Sequence, residues 1–304
     1  MGKIVVVGGD GQLGADLVQA GRQLNLDLVC LTQGDIEITD PASVEQALSG
    51  LQPQVVLNTA ACHGAAQQTT AEQEAFFRVN ALGAWNLARF CRQHYALLVH
   101  YSTDYVFGQE RVRARPYSEE DPACPVNIYG ASKLAGEHLI RSFCPKHYVI
   151  RVASLYGSRG CMAKGNSNFV KMVLSKARKG ENLKVVNDQF MSPTWTLAAA
   201  KKTYELINSG AAFGLYHMAG SGHCTWYEFT REILRIAGLT VAVEATATPV
   251  EGPGEVVLRP RWTALENYKL RQAGLADLPH WRECLEEYIH TYEQAGVREV
   301  AGPL

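Results

Sequence analysis

The segment that most constrains the fold is the apolar run Lys3-Ile4-Val5-Val6-Val7, followed by Gly8-Gly9-Asp10-Gly11-Gln12-Leu13-Gly14 and then Ala15-Asp16-Leu17-Val18-Gln19-Ala20. It reads as a strand, a glycine turn and a helix. With glycines at 8, 11 and 14, the backbone of the turn can approach a pyrophosphate closely. The next helix offers it unpaired N–H groups and a positive dipole end. A glycine triplet alone would also serve an ordinary tight turn. Its place between strand and helix is what a dinucleotide-binding motif requires.

Downstream, β-branched runs alternate with helical ones, which predicts an α/β fold of the Rossmann type, a doubly wound parallel sheet. Strands are expected at 27–32, 54–60, 96–102 and 147–152, and a long proline-free helix at 71–93. The near-continuous apolar character of these strands implies burial on both faces. Beyond residue 156 the pattern loosens into a glycine-rich stretch at 157–165, a helix near 167–179, a strand at 183–187 and a helix over 226–237. Residues 214–219 could return to the sheet, and the Pro/Gly-rich stretch 249–260 belongs elsewhere. The expected division is therefore discontinuous. A dinucleotide-binding domain takes 1–155 plus about 190–220, and a smaller substrate lobe takes about 156–189 plus 221–304, ending in a frayed polar tail.

At 304 residues the chain can bury a large core, and a formal net charge of -1 gives no basic excess to attract nucleic acid or an anionic membrane. A small-molecule partner is expected instead. Eight cysteines are scattered without a C-x-x-C pair, so they predict neither a zinc site nor a redox motif but reduced thiols in the cytoplasm. No apolar stretch approaches the roughly 20 residues of a membrane helix, and residues 4–7 lack the features of a signal peptide. Val6 stands where a myristoylation signal needs Ser or Thr. The sequence leaves the oligomeric state open, a homodimer being one option.

Tyr129 and Lys133, in Tyr129-Gly130-Ala131-Ser132-Lys133, are one helical turn apart and share a face. A phenol beside an ammonium is a poised proton donor, because the fixed positive charge favours phenolate. Ser102-Thr103-Asp104-Tyr105 follows the 96–102 strand, at the carboxyl edge where open parallel sheets bind ligands. Thr103 is thus expected beside Tyr129, its hydroxyl able to bond a substrate carbonyl; taken alone, it would equally serve as a turn or cap hydroxyl.

These motifs, in this order, resemble the extended short-chain dehydrogenases, and within them the dTDP-4-dehydrorhamnose reductase family. The resemblance spans nearly the whole chain: Gly8-x-x-Gly11-Gln12-Leu13-Gly14, Tyr101-Ser102-Thr103-Asp104-Tyr105-Val106-Phe107, Tyr129-Gly130-x-x-Lys133-Leu134-x-Gly136-Glu137, Asp188-Gln189 with Pro193-Thr194, and Arg259-Pro260 before Thr263-x-Leu265. It implies a catalytic set of Thr103, Tyr129 and Lys133, with Lys133 also holding the nicotinamide ribose and Tyr105 lining a sugar pocket. The implied reaction is reduction of a 4-keto-6-deoxy sugar nucleotide by NADPH or NADH. Related 4,6-dehydratases carry an Asp-Glu pair after the threonine; Asp104-Tyr105 stands here, which favours simple reduction.

The cofactor path is expected to include Asn58, Ala60 and Ala61, with Asn80 supporting it from the long helix. The second strand ends in Leu31-Thr32-Gln33, with neither a ribose-binding acid nor an arginine for a 2′-phosphate. Asp35 could replace the acid, and Asp35-Ile36-Glu37-Ile38 is expected to wrap the adenine. Both cofactors stay open. For the substrate, Asn168 at a helix start and Arg259 on a loop are candidates for the diphosphate, with Asp104 nearby. Two departures bear on the sugar. Ser154 stands where the family usually shows a tryptophan, and Cys62-His63-Gly64-Ala65-Ala66 replaces the usual Tyr-Thr-x-Val-Asp, leaving His63 as a ligand contact or an ordinary loop histidine. Leu197 occupies the place of a metal-binding glutamate, so no metal is expected. The alternatives are a reductase or epimerase acting on a different nucleotide deoxysugar, and a non-catalytic cofactor-binding subunit resembling the β-subunit of methionine adenosyltransferase.

Overall fold

The computed structural model describes residues 2–63, 70–110, 112–161, 165–249 and 258–292. Gly64 to Ala66, most of the Pro/Gly-rich stretch at 249–260, and the end of the C-terminal tail lie outside them.

Five strands, β1 (Ile4–Val7), β2 (Leu28–Leu31), β3 (Val55–Asn58), β4 (Leu97–Thr103) and β5 (His147–Val152), join Gly214–His217 in one six-stranded sheet. Its order is β2-β1-β3-β4-β5 and then Gly214–His217, and every pairing is parallel. The chain leaves β1 in one direction to β2 and in the other to β3, so a crevice opens above β1, where ligands bind in such sheets.

Alternation within each strand supplies both cores. Ile4 and Val6 point into one cluster with Leu57, Val99 and Ile150, while Val5 and Val7 point into another with Val56, Leu98 and Val149. The helices α1 (Gln12–Gln23) and α7 (Thr196–Asn208) cover the first face, packed by Leu13, Leu17, Ala200 and Tyr204. The second face is covered by α2 (Pro41–Ser49), α4 (Ala84–Gln93) and α5 (Ile128–Phe143), through Val44, Leu87 and Ile140.

The helix expected at 71–93 is not continuous. It runs as α3 (Thr70–Phe77), then a π-helical stretch over Arg78–Gly83, then α4. The wider turn carries Asn80, which is fully buried and spends its amide on neighbouring elements: Oδ1 accepts from the Cys62 N–H at 2.9 Å, and Nδ2 donates to Cys62 O at 2.9 Å and Ser132 Oγ at 3.0 Å. Insertions of this kind often mark functional sites.

The remaining elements gather over the carboxyl edge: α6 (Phe169–Arg178), α8 (Trp226–Ala237), α9 (Tyr268–Gln272), α10 (Trp281–Tyr292) and three two-stranded pairings. Thr225 and Glu228 form a reciprocal capping box at the start of α8, and Gly238 ends it in a left-handed conformation. All eight cysteines are free, four of them buried. Among the described residues no helix is long and apolar enough to cross a membrane.

Candidate active site

A cavity of about 1560 Å3 runs along the carboxyl edge of the sheet. A single drug-sized ligand occupies roughly 300–1,000 Å3, so there is room here for two ligands side by side.

One end is the glycine turn. A Cβ on Gly14 would stand 2.2 Å from the Gly8 carbonyl oxygen and 2.7 Å from the Gly9 Cα, so the turn closes on the helix only with a bare α-carbon there. Gly8, Gly11, Gln12, Leu13 and Gly14 all line the cavity, as do Ile36, Ala60 and Ala61. Gln12 Nε2 is buried and has no hydrogen-bond partner among the described residues, an open donor beside the helix N-terminus. A dinucleotide fits this cradle, with its pyrophosphate against the turn and Gln12.

Three expected cofactor contacts do not reach the cavity surface. Asp35 turns its carboxylate back to accept from the Thr32 N–H at 2.8 Å and the Thr32 hydroxyl at 2.7 Å, and these bonds hold its pKa below the usual range. Thr32, Gln33 and Glu37 line the cleft at this point instead. Asn58 is buried, its Oδ1 accepting from the Ala60 N–H at 3.1 Å and its Nδ2 lying 2.9 Å from His100 Nδ1. Asn80 faces the loop at Cys62 and α5, as described above. Each is a polar side chain satisfied by the protein's own groups, Asn58 and Asn80 in the interior and Asp35 at the surface, which a sequence pattern cannot distinguish from one open to a ligand.

In the middle of the cavity, β4 ends at Thr103 and α5 begins at Ile128. Asn127 caps α5, accepting from the Gly130 N–H at 2.8 Å. A Cβ on Gly130 would stand 2.0 Å from the Tyr105 carbonyl oxygen, and this close approach brings Tyr129 to Thr103. The Thr103 hydroxyl is near enough to act on the Tyr129 phenol. Thr103 Oγ1 accepts from the Tyr105 N–H at 3.1 Å and donates to Asp104 Oδ1 at 3.0 Å. Its own proton is thus committed to Asp104, and the donor available to a substrate carbonyl is the Tyr129 phenol.

Three rings surround Tyr129 edge-on: His63 at 4.8 Å, Tyr105 at 6.0 Å and Phe76 at 6.1 Å between centroids. Burial pushes its pKa above the ordinary value, the neighbouring Thr103 hydroxyl working against this and nearby Asp104 adding to it. Tyr129 therefore rests as a neutral phenol, not the phenolate-leaning group expected from Lys133 alone. Lys133 is itself buried, donates to the Tyr101 carbonyl at 2.5 Å and lies 3.4 Å from His100 Nε2. Burial lowers its pKa to about 8, with Glu137 opposing. Asp104, also buried, has one oxygen without a partner, and desolvation raises its pKa to about 6.

The far end holds the other candidates. Tyr105, Ser154, Asn168 and Arg259 all line the cavity. Burial raises Tyr105 to about 12, with Asp104 adding to this and Arg259 opposing. Ser154 sits at φ 43, a left-handed conformation uncommon for a side chain with a Cβ. Asn168 caps α6 as expected, but its side chain is spent: Oδ1 accepts from the Lys171 N–H at 3.0 Å and Nδ2 donates to the Gly157 carbonyl at 3.1 Å. Any ligand contact there falls to backbone N–H groups. His63 lines the cleft, and so do residues the sequence reading passed over: Cys161, Phe169, Lys176 and Trp226. Phe169 and Trp226 lie 4.5 Å apart in one aromatic wall, a pairing made by the packing of α6 on α8 that no local motif announces. Leu197 is buried in the apolar core.

This geometry has relatives of known name. A chain from Bacillus subtilis, a spore coat polysaccharide biosynthesis protein, SpsK, is 36% identical over 97% of this chain and 99% of its own length. The dTDP-4-keto-6-deoxy-D-glucose reductase of Streptomyces niveus is 35% identical over 93% of this chain and 95% of its own. A crystal structure of the dTDP-4-dehydrorhamnose reductase from Bacillus anthracis in complex with NADP superposes with a TM-score of 0.87 at 31% identity, covering 96% of this chain and 100% of that one. The model of the RmlD substrate binding domain matches residues 2–294, and the chain belongs to that family.

Proposed function

We propose that the protein reduces the 4-keto group of a nucleotide-activated 6-deoxysugar, dTDP-4-dehydro-L-rhamnose to dTDP-L-rhamnose, with NADPH or NADH. The observation that carries this is that Thr103, Tyr129 and Lys133 line one cavity with the glycine turn at the sheet edge. The relatives named above, two of them reductases of dTDP-linked keto sugars, support it.

The turn from Gly8 to Gly14 and Gln12 would hold the pyrophosphate, Ile36, Ala60 and Ala61 would flank the adenosine half, and Lys133 would hold the nicotinamide ribose. When bound, the cofactor would supply hydride for the carbonyl carbon. Tyr129 then gives its phenolic proton to the developing alkoxide oxygen, a transfer worth roughly 10²–10⁴ in rate when the donor is positioned. Thr103 would flank the phenol, and Asp104 orients Thr103 by accepting its hydrogen bond. Tyr105, Ser154 and Arg259 would face the sugar and its diphosphate.

The test is direct. The protein is mixed with NADPH or NADH and dTDP-4-keto-6-deoxy-L-mannose generated in situ, and absorbance at the nicotinamide band is followed. Rapid loss is expected. Tight cofactor binding without turnover would overturn this substrate and favour a differently decorated deoxysugar, a reading to which the small Ser154 side chain at the cavity wall lends weight.

A further inference from the structure

Behind Lys133 runs a buried chain of polar groups that the proposed reaction does not explain. Asn58 at the end of β3, His100 in β4 and Lys133 in α5 are 1%, 0% and 2% exposed. The Asn58 amide has a fixed orientation, because its Oδ1 accepts from the Ala60 N–H. Its Nδ2 therefore points at His100 Nδ1, 2.9 Å away, as a donor. That nitrogen must accept with its lone pair. A neutral imidazole has one N–H, so it stands on Nε2, the atom 3.4 Å from Lys133 Nζ. Burial, the largest cause, keeps His100 neutral whatever the charge on Lys133.

An ammonium has hydrogens and no lone pair, so it cannot accept from Nε2–H. A neutral amine can, while still donating to the Tyr101 carbonyl. For Lys133 to be charged and bonded to the imidazole, His100 would have to move its proton to Nδ1 and Asn58 would have to turn over, setting its NH2 against the Ala60 N–H. We propose that Asn58 and His100 are positioning residues that fix this tautomer and so bias Lys133 toward its neutral amine. The inference deepens the reductase reading and its functional consequence rests on it: a Lys133 that gives up its proton readily can return it to the Tyr129 phenolate after each turnover, an N–H bond breaking and an O–H bond forming, with solvent reprotonating the amine as product leaves.

The charged groups around Lys133 do not supply this bias. Glu137, on its own helix, favours the ammonium, and that carboxylate is already held by Arg151 from β5 and Ser102 from β4. Tyr129, one turn earlier, rests neutral.

The experiment follows the titration of Lys133 by NMR in full-length protein labelled with carbon-13 at lysine Cε, the resonance being the one missing from Lys133→Met. In His100→Phe, which keeps a ring and removes the N–H, the midpoint is expected to rise by about one unit, a tenfold change in the proton equilibrium. The alkaline fall of kcat/KM should move to higher pH with it. Asn58→Leu keeps the imidazole but frees its tautomer, so a smaller rise is expected, and it serves if His100→Phe does not fold. An unmoved or lowered midpoint in the folded variants overturns the proposal. Because the NMR titration is read without substrate, a raised midpoint in a protein that fails to reduce the nucleotide sugar supports the pair and overturns the reductase reading alone.

Discussion

Around Gly8–Gly14 the cleft is made by leaving side chains out; around Thr103–Lys133 it is made by burying polar side chains and satisfying them against one another. At the turn, the Gly14 α-carbon and the Gly8 carbonyl nearly touch, and the ligand's partners are backbone N–H groups and one open amide on Gln12. At the catalytic helix, Glu137 accepts from Arg151 Nε at 2.9 Å and Nη2 at 2.8 Å and from Ser102 at 2.5 Å, tying α5 to β4 and β5 under Tyr129. The first region tolerates no added atom. The second tolerates no missing partner.

The largest effect should come from removing such a partner. Glu137→Ala leaves the Arg151 guanidinium, 3% exposed, without its bidentate acceptor. Breaking a buried pair in this way costs about 3–5 kcal/mol, and urea unfolding should show it. A loss under about 1 kcal/mol would mean that α5 is held by packing alone.

Next in size is the chemistry. Tyr129→Phe keeps the ring, and with it the packing against His63, Tyr105 and Phe76, but removes the phenolic proton, the Thr103 proton being held by Asp104. Turnover should fall by at least about a hundredfold, as loss of a general acid does, while cofactor affinity stays within about twofold. Near-normal turnover would sink the proton-donor role. At the other wall the split should invert. Gly14→Ala forces a methyl onto the Gly8 carbonyl, so the turn must open, and cofactor affinity measured by fluorescence titration should drop by about tenfold or more, roughly 1.4 kcal/mol. Unchanged affinity would show that the pyrophosphate does not rest on this turn.

The same contrast explains what the sequence disclosed. A region built by omission is written in glycine spacing, so the turn, the strand–helix rhythm and the sheet face of each valine could be read from residue types. The Tyr129–Lys133 spacing and its place after Thr103 were legible for a similar reason, since helix and strand periods are local. The direction of a polar side chain is not local. Asn58, Asn80 and Asp35 stand where cofactor contacts were expected, yet each turns to a partner 42, 18 or 3 residues away that satisfies it first. Asn168 was rightly placed at a helix start, and that capping bond itself consumes the group expected to meet the ligand. Likewise the π-helical turn at Arg78–Gly83 leaves the hydrophobic period of 71–93 nearly intact, so only the backbone bonds reveal it.

Asp104 belongs to both descriptions, since it is buried like Glu137 yet keeps an unpartnered oxygen like Gln12. Its consequence is the smallest and runs opposite to the usual carboxylate. Desolvation raises its pKa in the folded protein to about 6, against an unfolded value near 3.9, while the nearby hydroxyls of Thr263 and Thr103 recover part of the charged form. The folded state therefore binds this proton more tightly than the unfolded chain does. Stability from this residue grows as pH falls from about 6 to about 4, and above pH 6 the buried charge works against the fold. Asp104→Asn removes the titration while keeping the shape. The difference in Tm between variant and parent should then narrow as pH falls through that window, and two parallel curves would show that the carboxylate is solvated. Activity should follow its ionisation for another reason. With Asp104 protonated, the charge-assisted bond that orients the Thr103 hydroxyl becomes a weaker neutral one, so Thr103 can turn as a competing donor toward the place where the Tyr129 proton must be free to leave.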